Sequence, residues 1–257
     1  MLKRTIAPLI LCAVAVTSCS SDPVPTNGPV PVNVPDRPMR KVPDSQVVAK
    51  AVDKLRHDRT GKFSSSLYIA GQQTGYVDSS GVFDIPSRSS LLKLVSVSNK
   101  GKRTAFEYRI FADGYSVRVS KGKDKGCWES VSTAGTVLPS QVQALLGAEG
   151  DHKRSREGGA AGTVRLGDAA GLLGPSWSEG VRAAGLAAMQ QPLRVRFAVE
   201  HGEFVGWSVK GRALITAFEK ANMQLPPGQR PQLRKYVVEV ELKAGGKVDV
   251  RRPAATC

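Results

Sequence analysis

The chain has 257 residues, with 37 Lys and Arg against 22 Asp and Glu, a formal net charge of +15. No apolar run reaches the about 20 residues that a transmembrane helix needs. The part beyond residue 43 is long enough for one domain with a substantial core.

The first element is a leader. Lys3 and Arg4 precede the apolar stretch Leu9-Ile10-Leu11-Cys12-Ala13-Val14-Ala15-Val16, and Thr17-Ser18-Cys19 follows. A basic start, a short apolar stretch and small residues before a cut site make a secretory signal peptide, here residues 1–18. Val16-Thr17-Ser18-Cys19 resembles the bacterial lipobox, in which the Cys thiol receives a diacylglycerol and becomes the mature N-terminus. On that reading the protein lies at the extracytoplasmic face of the cell membrane, held by an acylated Cys19. Each buried methylene contributes about 0.8 kcal/mol, so several acyl chains hold firmly where one does not. An ordinary secreted protein cut near Ser18 is the other reading. A positive field outside the cytoplasm favours anionic partners such as wall polymers or lipid headgroups. Nucleic acid is excluded as a partner by that location. The basic residues are also dispersed, with no aromatic interleaving.

Residues 19–43 form the tether. Pro23, Pro25, Pro29, Pro31, Pro35 and Pro38 favour an extended, semi-rigid chain. A helix follows, with Val47, Val48, Ala51, Val52 and Leu55 on one face and Asp44 or Ser45 as its cap. Gly61 ends the pattern. From Lys62 the period becomes two. Phe63, Ser65, Leu67 and Ile69 form one face of a strand. Tyr76 to Asp84 is a second strand, with Gly81 as a turn or bulge. Leu91 to Ser98 is a third. Thr104, Phe106, Tyr108 and Ile110 alternate up to the turn Asp113-Gly114, and Tyr115, Val117 and Val119 alternate after it. Cys127 to Val131 is a short strand.

Pro139 to Leu146 reads as a short helix. Residues 149–162 are charged and glycine-rich and read as an exposed, mobile loop. Trp177 to Met189 reads as a small-residue helix. Leu193, Val195, Phe197 and Val199 then alternate, and His201-Gly202 turns the chain into Phe204 to Val209. Arg212 to Asn222 has helical spacing. Tyr236, Val238, Val240 and Leu242 alternate again. Gly245-Gly246 then turns into a final strand, Lys247 to Arg251. The pattern predicts an α+β fold, a large curved antiparallel sheet with helices on its concave face. Residues 44–257 make a single domain.

Four cysteines occur. With Cys12 in the leader and Cys19 at the anchor, Cys127 and Cys257 are left to pair in an oxidising compartment. Such a bond closes a long loop and stabilises by roughly 4–5 kcal/mol in the chain-entropy model. Two free thiols, or a Cys257 pairing between molecules, remain the alternatives.

No catalytic constellation is present, so the chain reads as a non-enzyme. His57, His152 and His201 lie at a helix end, in a polar loop and in a hairpin turn. HExxH, GxSxG, P-loop and CxxC motifs are absent from the sequence. Gly158 to Gly162 lacks the Lys-Ser/Thr of a phosphate loop. Asp78, Asp84, Asp113 and Asp249 fit ordinary turn chemistry. No spacing supports a metal site, and no cofactor is implied. The unusual feature is sheet with one apolar face and few helices to cover it. Phe106, Tyr108, Ile110, Tyr115, Val117, Leu193, Val195, Phe197, Tyr236 and Val238 are candidates for the inner face. They line either a ligand cavity or a filled core.

The chain resembles the actinobacterial lipoproteins related to LppX and LprG, which share the LolA-like fold. The pieces that carry the resemblance are the lipobox and polar tether, and the helix Val47–Leu55 leading to Phe63-Ser64-Ser65-Ser66-Leu67. Gly81-Val82-Phe83-Asp84, the hairpin around Arg109-Ile110-Phe111-Ala112-Asp113-Gly114-Tyr115, and a short strand with Trp128 also match. Tyr236 to Leu242, Gly246 to Val250 and Pro253 resemble its closing hairpin. Residues 139–190 and the Cys127/Cys257 pair do not fit that pattern. The resemblance implies a half-barrel, and a lipid or glycolipid bound between sheet and helices and carried across the envelope. It implies no catalytic residues. The alternative function is a tethered module contacting anionic wall polymers or a membrane partner.

Overall fold

The computed structural model describes residues 42–70, 72, 75–121, 126–132, 138–153, 159–225 and 228–254. The leader, nearly all of the tether, Cys12, Cys19 and Cys257 lie outside the described residues.

The first helix, α1 (Asp44–Asp58), buries Val48, Ala51, Val52 and Leu55 of the stripe read from the sequence, while Val47 is only half-buried. Its expected side-chain cap is absent. Asp44 is instead buried, and its carboxylate accepts a hydrogen bond from the backbone N–H of Ala161 at 2.9 Å. The helix stops at Arg59, whose φ of 63° breaks the pattern two residues before Gly61.

Six strands then run as a meander: β1 (Thr60–Ile69), β2 (Tyr76–Asp84), β3 (Ser89–Val97), β4 (Arg103–Phe111), β5 (Gly114–Lys121) and β6 (Glu129–Ser132). Gly81 makes neither turn nor bulge, because β2 keeps unbroken register with both β1 and β3. Its partner across the ladder is Phe63, and Phe83 faces Gly61 in the same way. Each ring covers the opposite glycine. A Cβ on Gly81 would come within 2.8 Å of the Phe63 ring and 2.0 Å of the Leu91 carbonyl oxygen.

Helix α2 (Ser140–Leu146) leads into β7 (Glu149–Gly150) and β8 (Ala160–Arg165). The stretch read as a mobile loop therefore contains two strands; residues 154–158 lie outside the described residues. Gly150, Gly159 and Gly162 in it serve close packing. A Cβ on Gly162 would lie 2.1 Å from the Glu149 carbonyl oxygen and 2.9 Å from the Phe197 ring. Two short helices follow, α3 (Leu166–Ala169) and α4 (Pro175–Ala183), with a 3₁₀ turn at Ala170–Leu173 between them. Gly185, at φ 94°, separates α4 from α5 (Leu186–Gln190), so the single helix read from Trp177 to Met189 is broken.

Strands β9 (Pro192–Glu200) and β10 (Glu203–Lys210) form the expected hairpin. Helices α6 (Gly211–Lys220) and α7 (Gln229–Lys235) precede β11 (Tyr236–Ala244). No final strand forms at 247–251. β11 lies between β1 and β10, so neither of its edges is free for another partner.

The sheet is antiparallel and open, with eleven strands in the order β6-β5-β4-β3-β2-β1-β11-β10-β9-β8-β7. Seven α-helices accompany it among the described residues, making the expected α+β fold with a curved sheet. One continuous core lies between the helices and the half of the sheet formed by β1 and β8–β11. Phe197, Phe218, Leu145, Leu193 and Leu214 are all but completely buried there. Full burial of such a side chain contributes about 1.5–3 kcal/mol. The Trp177 ring stacks on Phe218 at 4.9 Å. A polar knot ties α2 to the sheet. Gln141 Nε2 donates to Ser65 Oγ at 3.0 Å and Ser79 Oγ at 2.9 Å, and Trp207 Nε1 donates to the Gln141 carbonyl at 3.0 Å.

Two alanine substitutions separate packing glycines from flexible ones. Gly162→Ala is expected to lower unfolding free energy by at least about 2 kcal/mol, through backbone collision. Gly180→Ala meets only Met223 at 3.5 Å within α4, and is expected to stabilise by about 0.5–1 kcal/mol. Urea denaturation reads both. A Gly162→Ala protein as stable as the parent would refute the packing role.

Candidate functional site

Alternation and register assign each side chain to a face. Phe63, Ser65 and Leu67 face the helices. Their ladder partners carry that face across the sheet to Ser79, Leu92, Leu94, Phe106, Tyr108, Ile110, Tyr115 and Val117. The helices pack over β1 and β8–β11. Over β3–β5 the same face keeps its apolar residues half-buried. Three rings form its centre: Phe106 and Tyr108 lie 6.3 Å apart, and Tyr108 and Tyr115 lie 6.1 Å apart. Burial pushes the Tyr108 hydroxyl above its ordinary pKa, with the neighbouring Tyr115 adding to the effect. At the margin of the strip, between Phe83 and Ile110 in the ladder, Ser90 is fully buried and its hydroxyl has no hydrogen-bond partner.

The ten candidate lining residues therefore divide. Phe106, Tyr108, Ile110, Tyr115 and Val117 belong to this open strip. Leu193, Val195, Phe197 and Val238 are 0–6 % exposed and belong to the filled core beneath the helices. Tyr236 packs at the edge of that core, and burial raises its pKa. Leu92 and Leu94 join the strip unannounced. The run Leu91-Leu92-Lys93-Leu94-Val95 has no clean alternation, so its faces become readable only from the register with β4.

The opposite face of β4 and β5 is organised around Trp128. The guanidinium groups of Arg109 and Arg118 lie over its ring at 4.7 and 4.6 Å. Both also approach the buried Glu107 carboxylate, Arg118 at 2.8 Å and Arg109 at 3.9 Å. The chain after β11 crosses to this cluster. Arg109 donates to the Arg251 carbonyl at 2.8 Å, and Arg252 pairs with Asp113 at 2.5 Å while lying over Phe111. That pairing holds the Asp113 carboxyl below its ordinary pKa. Cys127, beside Trp128, is partnered.

On this same face a groove of about 660 Å³ runs along β1–β5, lined by Ser64, Ser66, Ser80, Lys93, Arg103 and Glu107 among others. A shallower cleft of about 400 Å³ lies between α1 and the β9–β10 hairpin, at Val42, Val47, Lys50 and His201.

His57, His152 and His201 are all exposed. Asp78 lies within β2 rather than at a turn, and accepts a hydrogen bond from Ser66 at 2.7 Å. Asp84 accepts from the Ser87 backbone N–H, and Asp249 from Arg251. Burial raises the pKa of Asp168 against the opposing pull of Arg165 and Gln143, which ties that carboxyl into a local structural cluster. Among the described residues no group of three or more His, Cys, Asp or Glu could hold a metal ion, and no helix is long and apolar enough to cross a membrane. No family model matches the chain, and no curated protein does.

Proposed function

We propose that this protein is a lipoprotein anchored through Cys19 at the extracytoplasmic face of the membrane, and that it binds or transfers a lipid or glycolipid. The observation that carries this reading is the half-buried apolar strip over β3–β5, which continues the helix-covered core with no helix packed over it among the described residues. Apolar side chains left at a sheet face favour an acyl chain, because each methylene removed from water contributes about 0.8 kcal/mol. The aromatic row Phe106, Tyr108 and Tyr115 supplies flat contact area. The ligand lies along an open face beside the filled core, a different arrangement from an enclosed cavity. The resemblance of the strand pattern to the LppX/LprG-like lipoproteins supports the same function.

We further propose that Cys127 and Cys257 form a disulfide. Arg251 and Arg252, a few residues before Cys257 in the sequence, are held on β4 and its following turn, beside the Trp128 cluster that Cys127 adjoins.

The full chain with Cys19→Ala, purified and extracted with organic solvent, is expected to release stoichiometric acyl lipid on mass spectrometry, or to take up a fluorescent fatty acid when empty. Tyr108→Arg places a charge in the strip and is expected to weaken uptake by at least about tenfold. A protein that carries no lipid and takes up none ends this reading. Metabolic labelling with palmitate is expected to mark the parent chain and to be lost in Cys19→Ala. Label retained in that variant would remove the anchor. Non-reducing peptide mapping is expected to recover the peptide of Cys127 joined to that of Cys257; two alkylated free thiols would refute the bond.

A further inference from the structure

The groove on the opposite face is lined mostly by serines and charged residues, with Leu94 and Phe106 of the strip also bordering it. Its floor is a straight row across five strands: Ser64, Ser80, Lys93, Glu107 and Arg118 are successive ladder partners. At about 4.8 Å per strand the row spans about 19 Å. A second row runs beside it, from Ser66 through Asp78 to Val95 and Ala105. Serines and an alanine leave the depression; long charged side chains form its walls.

The charges in the groove are unevenly satisfied. Glu107 is neutralised by Arg118 at 2.8 Å. Lys93 and Arg103 are exposed, and neither has a carboxylate partner among the described residues. Ser64 donates its proton to Glu241 at 3.1 Å, and Ser66 donates to Asp78 at 2.7 Å. Both hydroxyls therefore turn free lone pairs toward the groove and can accept from an incoming hydroxyl. The exposed Ser80 hydroxyl lies between these serines and Lys93 in the ladder.

We propose that this groove is a binding site for an anionic saccharide, a sugar chain that carries carboxylate or phosphate groups. Lys93 and Arg103 supply the charge complement for the anionic group. The serine hydroxyls and the Asp78 carboxylate supply acceptors for ring hydroxyls, which a bare anion lacks. The length of the row suits several linked rings. A protein partner is disfavoured because serines and charged side chains make up most of the groove lining. The site is independent of lipid binding and stands or falls separately.

The test is calorimetric titration of the full chain in detergent with four probes: an oligoglucuronate, glucose 6-phosphate, a neutral glucose oligomer and inorganic phosphate. The first two distinguish a carboxylate from a phosphate source. At least one is expected to bind at least about tenfold more tightly than the neutral sugar and the phosphate ion. Lys93→Ala and Arg103→Ala are each expected to weaken it by about tenfold, the worth of one charged hydrogen bond. Lys153→Ala, an exposed cation outside the groove, is expected to change nothing. Amide shifts at Ser64, Ser66 and Ser80 on titration are expected to report the contact. The proposal is overturned if no anionic sugar binds. Inorganic phosphate binding equally well overturns it too, as does an affinity indifferent to both cation variants. Fatty-acid uptake through the strip is expected to be unchanged by Lys93→Ala, so a failure here leaves the lipid reading intact.

Discussion

The pairing of β1 with β11 is the constraint on which the rest of the structure depends. Nine residue pairs, from Gly61 with Ala244 to Ile69 with Tyr236, join the start of the domain to its end. On one side of that seam the chain builds outward from β1 to β6. On the other it builds inward from β7 to β11. Each half consists of neighbouring strands in sequence order, which form with little loop-closure cost. The seam is the long-range step, and both ends of the sheet stay open. Its register is tightly specified on the helix face, where Phe63 meets Leu242, Ser65 meets Val240 and Leu67 meets Val238. A slip of one residue would put Glu241 and Glu239 against the core.

The two halves differ in what covers them, and the cause is topological. Helices α2–α7 all occur after β6, interleaved with β7–β11, and they fold back onto the strands near them in sequence. The first half is built from consecutive strands, with no helix between β1 and β6 among the described residues. Its helix-side face is therefore left to whatever else can cover apolar surface. The same asymmetry explains why α1 covers the second half although it directly precedes the first. Gly150 lets the backbone of Asp44 approach closely, because a Cβ there would fall 2.3 Å from the Asp44 carbonyl oxygen. The Asp44 carboxylate then anchors to the Ala161 N–H on β8.

Period-two alternation made most strands legible in the sequence, and it also placed the aromatic row of β4 and β5 on one face. It failed in three physical circumstances. At Gly150 and Gly162 the absence of side chains removes the pattern, although the strands exist because backbone packs against backbone and ring there. At Val248 and Val250 the alternation is present but the strand a closing hairpin would pair with is taken, since β1 and β10 already occupy both flanks of β11. The division of the ten lining candidates needed the third dimension. Leu193 and Tyr108 look alike as alternating apolar residues, and only the placement of α6 and α1 makes one core and the other surface. The groove was invisible for a related reason: Ser64, Ser80 and Lys93 read as ordinary outward positions until the register lines them up.

The strip and the groove are two sides of the same few strands. Along β3, Leu92 and Leu94 face one way while Lys93 faces the other; along β4, Phe106 and Tyr108 oppose Ala105 and Glu107. Because the period is two, any shift that spoils one face spoils the other in the same step. This makes register control in the first half a shared requirement, and two devices provide it. Phe63 over Gly81 and Phe83 over Gly61 lock β1 to β2 by shape, since neither ring fits over a residue with a Cβ. Trp128, with Arg109 and Arg118 over its ring and Arg109 donating to the Arg251 carbonyl, holds β4, β5 and Arg251 in one cluster. That cluster lies on the groove face, yet the strand it fixes carries Tyr108 on the other. A mutation that loosens Trp128 therefore acts on both faces at once, whereas substitution of Lys93 or Tyr108 acts on one.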